Sequence, residues 1–179
     1  MEINIMNKNF RIFFLALLSI LAFQSFAFSQ EQSSSNKYKP RTLSEIIELN
    51  RKATDGILKT AKLEEKNGFI GIDPFYSKVR VEYIGTPRPI SDNHLGLITT
   101  WSKLQQVNKK FTRLYETEYL FKEGDAEYWI PLQKQIAESM NNELKLGDAL
   151  TLFVIYVGAE KEKNSKQFES LFLSTAYEK

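Results

Sequence analysis

Leu144 to Gly158 reads Leu-Lys-Leu-Gly-Asp-Ala-Leu-Thr-Leu-Phe-Val-Ile-Tyr-Val-Gly, the longest β-type apolar run outside the N-terminal segment. It opens on a Gly147-Asp148 turn signal and closes at Gly158. Between Ala149 and Val157 the polar groups are Thr151 and the Tyr156 hydroxyl. A strand apolar on both faces cannot lie on a half-solvated sheet, so this one belongs in the middle of the fold. Any architecture for the chain must cover it on two sides.

The strands around it follow from period-two alternation. In Ser77–Ile84, Val79, Val81 and Tyr83 alternate with Arg80 and Glu82, which predicts a half-buried strand. Gly85-Thr86-Pro87-Arg88-Pro89 is expected to end it, because proline has no donor for a ladder. From Phe111 to Lys122, one face carries Phe111, Arg113, Tyr115, Thr117, Tyr119 and Phe121; the other carries Thr112, Leu114, Glu116, Glu118, Leu120 and Lys122. Glu123-Gly124-Asp125 is a turn, and Glu127–Ile130 returns as the second arm of a hairpin. Phe168–Tyr177 is the last strand, reached through the charged stretch Ala159–Lys166.

Helical periodicity accounts for most of the rest. Thr42-Leu43-Ser44-Glu45 fits a capping box at the start of a helix over Thr42–Lys66, with Lys66-Asn67-Gly68 as its stop. Gly56 marks a weak point in it. Gly68–Ser77 reads as a loop. Leu97, Ile98, Trp101, Leu104 and Val107 favour a helix within Ser91–Lys110, capped by Ser91, Asp92 or Asn93; a short strand over Leu97–Trp101 is the alternative. Pro131 is expected to stop the preceding strand and to occupy the first turn of a helix running to Leu144 through Leu132, Ile136 and Met140.

The resulting order is five strands with a helix between the third and fourth, plus an N-terminal helix. That is the order of an α+β, mostly β, five-stranded OB-like barrel. An insertion at 85–110 would separate its first two strands. An α+β roll with helices packed on a curved sheet is the alternative.

Residues 1–29 read as a secretory signal peptide. Lys8 and Arg11 precede the apolar stretch Ile12–Phe23, and Ala27 and Ser29 fit small-x-small cleavage, with Ser25 and Ala27 as the other pair. An apolar core of about 12 residues is short of the roughly 20 that span a bilayer, so no stable membrane anchor is expected after cleavage. Gln30–Pro40 should be a flexible leader, and 41–179 one globular domain. The chain is expected to be exported, to the periplasm or beyond. It has no cysteine, which excludes disulfides, thiolate metal sites and a cysteine nucleophile. Net charge is +2, and +1 without Lys8, Arg11 and Glu2, so no nucleic-acid partner is expected.

Three segments, Tyr128-Trp129-Ile130-Pro131, Lys145-Leu146-Gly147-Asp148 and Tyr156-Val157-Gly158-Ala159, resemble a pattern in uncharacterised bacterial proteins that carry signal peptides. The resemblance covers about 50 C-terminal residues. It implies an exported protein and supplies no catalytic residue.

No catalytic motif stands out. His94 is the single histidine and has no partner at ligand spacing, so it reads as an exposed loop or capping residue. Glu116 and Glu118, on one strand face and about 7 Å apart, are the residues a carboxylate-dependent hydrolase would use. Asp73, Asp92, Asp125 and Asp148 are turn residues. No cofactor or metal is expected. Arg113, Tyr115, Tyr119 and Phe121 form an aromatic face with a cation, which is either core or a ligand-stacking surface. The reading that follows is a non-enzymatic domain binding a protein or small molecule; a hydrolase, and an envelope assembly subunit docking through helix 42–66, are the alternatives.

Overall fold

In the computed structural model, residues 37–61, 68–71, 73–108, 110–161 and 168–179 are described. The segment read as a signal peptide, the expected leader up to residue 36, the expected end of the first helix over 62–66 and most of the charged stretch after 161 lie outside them. The described part is α+β. Strands β1 (Lys39–Pro40), β2 (Gly68–Ile70), β3 (Ser77–Pro89), β4 (Tyr115–Glu123), β5 (Ala126–Gln133), β6 (Ala149–Lys161) and β7 (Phe168–Glu178) form one mixed sheet. Helices α1 (Leu43–Ala61), α2 (Asp92–Leu104) and α3 (Lys134–Glu143) pack with it. A 3₁₀ turn over Phe111–Leu114 leads into β4.

The order across the sheet is β1-β3-β4-β5-β7-β6-β2, and β3 also pairs with β6. β3 does this by dividing its length. Ser77–Glu82 pairs antiparallel with Val154–Ala149 of β6, and Glu82–Pro89 pairs with Lys122–Thr117 of β4. The pairs β1–β3 and β5–β7 are parallel and the others antiparallel.

β6 is the stretch that opened the sequence, and Leu152–Ala159 is buried without interruption. Its two faces feed two cores. Leu150, Leu152, Val154 and Tyr156 join Val79, Val81, Phe121, Ile130 and Phe172, closed off by Leu43 and Ile46 of α1 and Met140 of α3. Ile155 and Val157 point the other way, to Leu171, Leu173, Ile98 and Trp101, so α2 covers the second face. Double coverage is what a run apolar on both faces requires.

The strand expected from Phe111 begins only at Tyr115, after the 3₁₀ turn, and four further boundaries differ from expectation, each for a local reason. β3 does not end at Gly85 but continues through Pro89. Ile90 N–H donates to Glu116 O of β4 at 3.3 Å, and backbone polar groups alternate along a strand. The nitrogens of Pro87 and Pro89 therefore face the edge away from β4, where no donor is needed. Pro131 lies inside β5, opposite Glu118, and α3 starts at Lys134; the far edge of β5 pairs with β7 at Leu132↔Ser174, so little of a ladder is lost there. Gly68–Ile70 is not loop but an edge strand against Glu160–Gly158 of β6. Lys39–Pro40 is not leader but pairs with Ser77–Lys78; before it, Tyr38 donates to or accepts from Thr175 at 2.9 Å and packs edge-on against Tyr76 and Phe153.

Candidate functional site: a buried carboxylate–histidine–arginine cluster

Three turns of local chemistry converge on one place. Ser91 caps α2: its hydroxyl accepts from His94 N–H at 3.1 Å, and its own backbone is extended. That sets His94 as the third residue of the helix, facing the sheet and 2% exposed. It is neither in a loop nor exposed, contrary to the expectation for a lone histidine beside Asp92-Asn93.

On β4, Tyr115 pairs with Gln133 and Thr117 with Leu132, so Glu116 is an extra residue, a β-bulge. The bulge separates the two carboxylates that strict alternation would place together. Glu116 is exposed, and Glu118 is fully buried. Glu118 stands directly across from Arg88 of β3. The Arg88 Nε donates to Glu118 Oε1, and the guanidinium lies 3.9 Å over the Trp129 ring. The other Glu118 oxygen is 3.0 Å from His94 Nδ1.

The far side of the imidazole meets two more carboxylates. His94 Nε2 lies 3.6 Å from Glu160 Oε1 and 3.9 Å from Glu169 Oε2, beyond hydrogen-bond reach, and has no other partner among the described residues. Glu160 and Glu169 are themselves cross-strand partners of β6 and β7, a like-charge pairing that is unfavourable alone. Arg88 Nη2, 3.7 Å from Glu169 Oε1, and His94 together bridge them to Glu118. Burial pushes the His94 pKa down. The Glu118 hydrogen bond and the charges of Glu118, Glu160 and Glu169 outweigh burial and leave it above 6.5. Glu160 is raised from 4.5, first by burial and also by Glu169 and Glu118, against the pull of His94 and a hydrogen bond from Asn93.

The cluster can hold and exchange a proton. A Glu-His pair of this kind is also two of the three members of a nucleophilic triad, but here the outer nitrogen is sealed from solvent and faces carboxylates in place of a hydroxyl or thiol. Among the described residues, no group of three or more His, Asp or Glu is arranged to hold a metal ion. An open groove of about 500 Å³ along α1, lined by residues such as Arg41, Glu45, Glu48 and Lys52, gathers no comparable set; Glu45 is engaged by the cap and Glu48 by Arg51.

The predicted ligand face is dispersed. Tyr119 and Phe121 are buried in the first core and Tyr115 in the second, while Arg113 is exposed on the 3₁₀ turn. The tyrosine hydroxyls have protein partners: Asn141 Nδ2 donates to Tyr119 at 3.0 Å, and Gln133 Nε2 donates to Tyr115 at 3.2 Å. Burial raises the Tyr115 phenol far above its usual 10.0. Sequence reasoning missed the ion cluster because its five members come from five elements. The signal that existed was His94 three residues after a good cap. Neither a protein-family model nor a curated protein nor a solved structure matches the chain.

Proposed function

We propose that the chain is an exported, non-enzymatic domain that binds a protein or small-molecule partner, built on a five-stranded OB-like barrel. One observation carries the non-enzymatic part. His94 and Glu118, the best-placed acid–base pair, are 2% and 0% exposed and engaged by Arg88, Glu160 and Glu169. A general base must reach the proton it removes, and this one has no open approach. The chemistry holds α2 on the sheet.

The barrel is supported by the pairing circuit β3-β4-β5-β7-β6-β3, which returns to its starting strand, and by α3 between β5 and β6. A roll would leave the circuit open. Export is supported by the composition of residues 1–29 and by the resemblance of the C-terminal segments to exported bacterial proteins. No helix among the described residues is long and apolar enough to cross a membrane. The surface offered to a partner is that of the segment between β3 and β4, where Leu104, Arg113 and Leu114 are exposed.

The test is a survey of the purified protein against esters, phosphomonoesters, glycosides and peptides. The expected result is no turnover above buffer. Turnover that disappears in Glu116→Gln or Glu118→Gln would establish the carboxylate hydrolase instead.

A further inference from the structure

We propose that the cluster is a proton-operated latch: with His94 protonated it clamps the first turn of α2 to the β6–β7 hairpin, and with His94 neutral it lets that turn go. This goes beyond the binding reading and does not depend on what the domain binds.

The geometry demands a proton because both ring nitrogens face carboxylates. A neutral imidazole has one N–H and one lone pair. With the proton on Nδ1, the hydrogen bond to Glu118 is kept and the Nε2 lone pair is left buried against Glu160 and Glu169. With the proton on Nε2, the lone pair is turned on Glu118 at 3.0 Å. Neither tautomer satisfies the site. The imidazolium keeps the Nδ1 hydrogen bond to Glu118 and turns a positively charged N–H, in place of a lone pair, toward the cross-strand pair Glu160 and Glu169 at 3.6 and 3.9 Å.

The groups around the ring come from every element packed on it. Arg88 comes from β3, Glu118 from β4, Glu160 from β6 and Glu169 from β7. On α2 itself, Asp92 shares the first turn and Asn93 hydrogen-bonds Glu160. With all three glutamates ionised, they and Arg88 sum to −2, which His94⁺ reduces to −1. The amino end of α2 opposes a cation there, and the three carboxylates outweigh it.

Release stays local. Further along the helix, Ile98 and Trp101 are buried in the second core and titrate nothing. The moving part is the turn around Ser91–Leu95. Because the folded-state pKa of His94 lies above its unfolded value, the clamp is fully present below pH 6.5 and is lost as pH rises through the folded midpoint.

His94 is the single histidine, so its ring resonances in the purified protein need no assignment. Titrated from about pH 5 to about pH 9, they should show a midpoint above 6.5. Across the same midpoint the amides of Asn93–Leu95 should lose protection by more than about tenfold beyond the intrinsic pH dependence of exchange, while Ile98 and Trp101 keep theirs. Glu118→Gln should lower the midpoint and carry the exchange transition down with it. If that variant does not fold, the half-exposed Glu169→Gln should do the same to a smaller extent. A midpoint at or below 6.5, or first-turn amides indifferent to the titration, overturns the latch. So does a histidine signal that shifts on adding one equivalent of Zn²⁺ at fixed pH, which would make the cluster a cation site.

Discussion

At the scale of single residues, Gly85 decides how β3 serves two partners. Its φ is +75°, and it sits in the irregularity between Tyr83 and Pro87, where β3 passes from β6 to β4. A Cβ there would collide with Leu146 Cδ2 and come 3.3 Å from Tyr83 Cε1. Leu146 is 75% exposed, so its end can swing aside; the backbone cannot. Gly85→Ala is therefore expected to lower stability by about 1–2 kcal/mol, the cost of a left-handed L-residue, read as a fall in the urea midpoint. The same loss should persist in a Leu146→Ala background. Recovery there would assign the cost to the contact and not to φ. The sequence marks Gly85 as special, and the two prolines that follow make it look like the end of a strand. The same limit applies to Glu116 and Glu118. Their alternation is visible in the sequence, whereas the extra residue that breaks it exists only relative to Gln133 and Leu132 on the neighbouring strand.

At the scale of elements, α1 shows what local and distant contacts each contribute. Its capping box forms as the sequence predicts: Thr42 N–H donates to Glu45 Oε2 at 2.7 Å, and Glu45 N–H donates to Thr42 Oγ1 at 3.1 Å. A further anchor comes from the end of β4. Both Glu123 oxygens accept from Leu43 N–H, at 2.8 and 3.0 Å, and Oε2 also accepts from Ser44 N–H at 3.3 Å. A carboxylate on free amides at a helix amino terminus gains from charge-assisted bonding and from the helix dipole. Glu123→Ala should cost about 1–2 kcal/mol, similar to losing a strong N-cap. Hydrogen exchange should locate the damage at Ile46–Asn50, ahead of the sheet. Protection unchanged there would remove Glu123 from the anchoring of α1. The cap box was legible because its partners are three residues apart. Glu123 is 80 residues from Leu43 and reads from sequence as a hairpin-turn residue.

Over the whole molecule, the order of strands was more legible than their lengths. The alternation in 77–84 and 111–122, the last strand read at 168–177 and the unbroken apolar run at 149–157 place β3, β4, β7 and β6, because burial patterning is local information, although Phe111–Leu114 forms a 3₁₀ turn and not the start of β4. β2 was not readable: three residues with Gly68 at their head carry no period, and they are strand because β6 has an edge to offer. The cooperativity of the sheet follows from the same pairings. β6 has β3 and β2 along one edge and β7 along the other, with a core on each face. Between β5 and β7, by contrast, the register is a single pair, Leu132↔Ser174. The circuit therefore has one weak seam. Amides of Leu152–Val157 should exchange only through global opening, with a free energy equal to that from urea unfolding of the same sample. Amides of Ala126–Tyr128 in β5 should exchange by smaller openings and at lower denaturant. If the two strands instead exchange at one common free energy, the seam is as strong as the rest, and the sheet opens as one unit. If β6 opens below the global value, coverage on both faces does not translate into the last structure to unfold, and the core that α2 lays over Ile155 and Val157 would be a separately melting layer. That third outcome would also extend the moving part of the latch beyond the first turn of α2, because Ile98 and Trp101 belong to that layer.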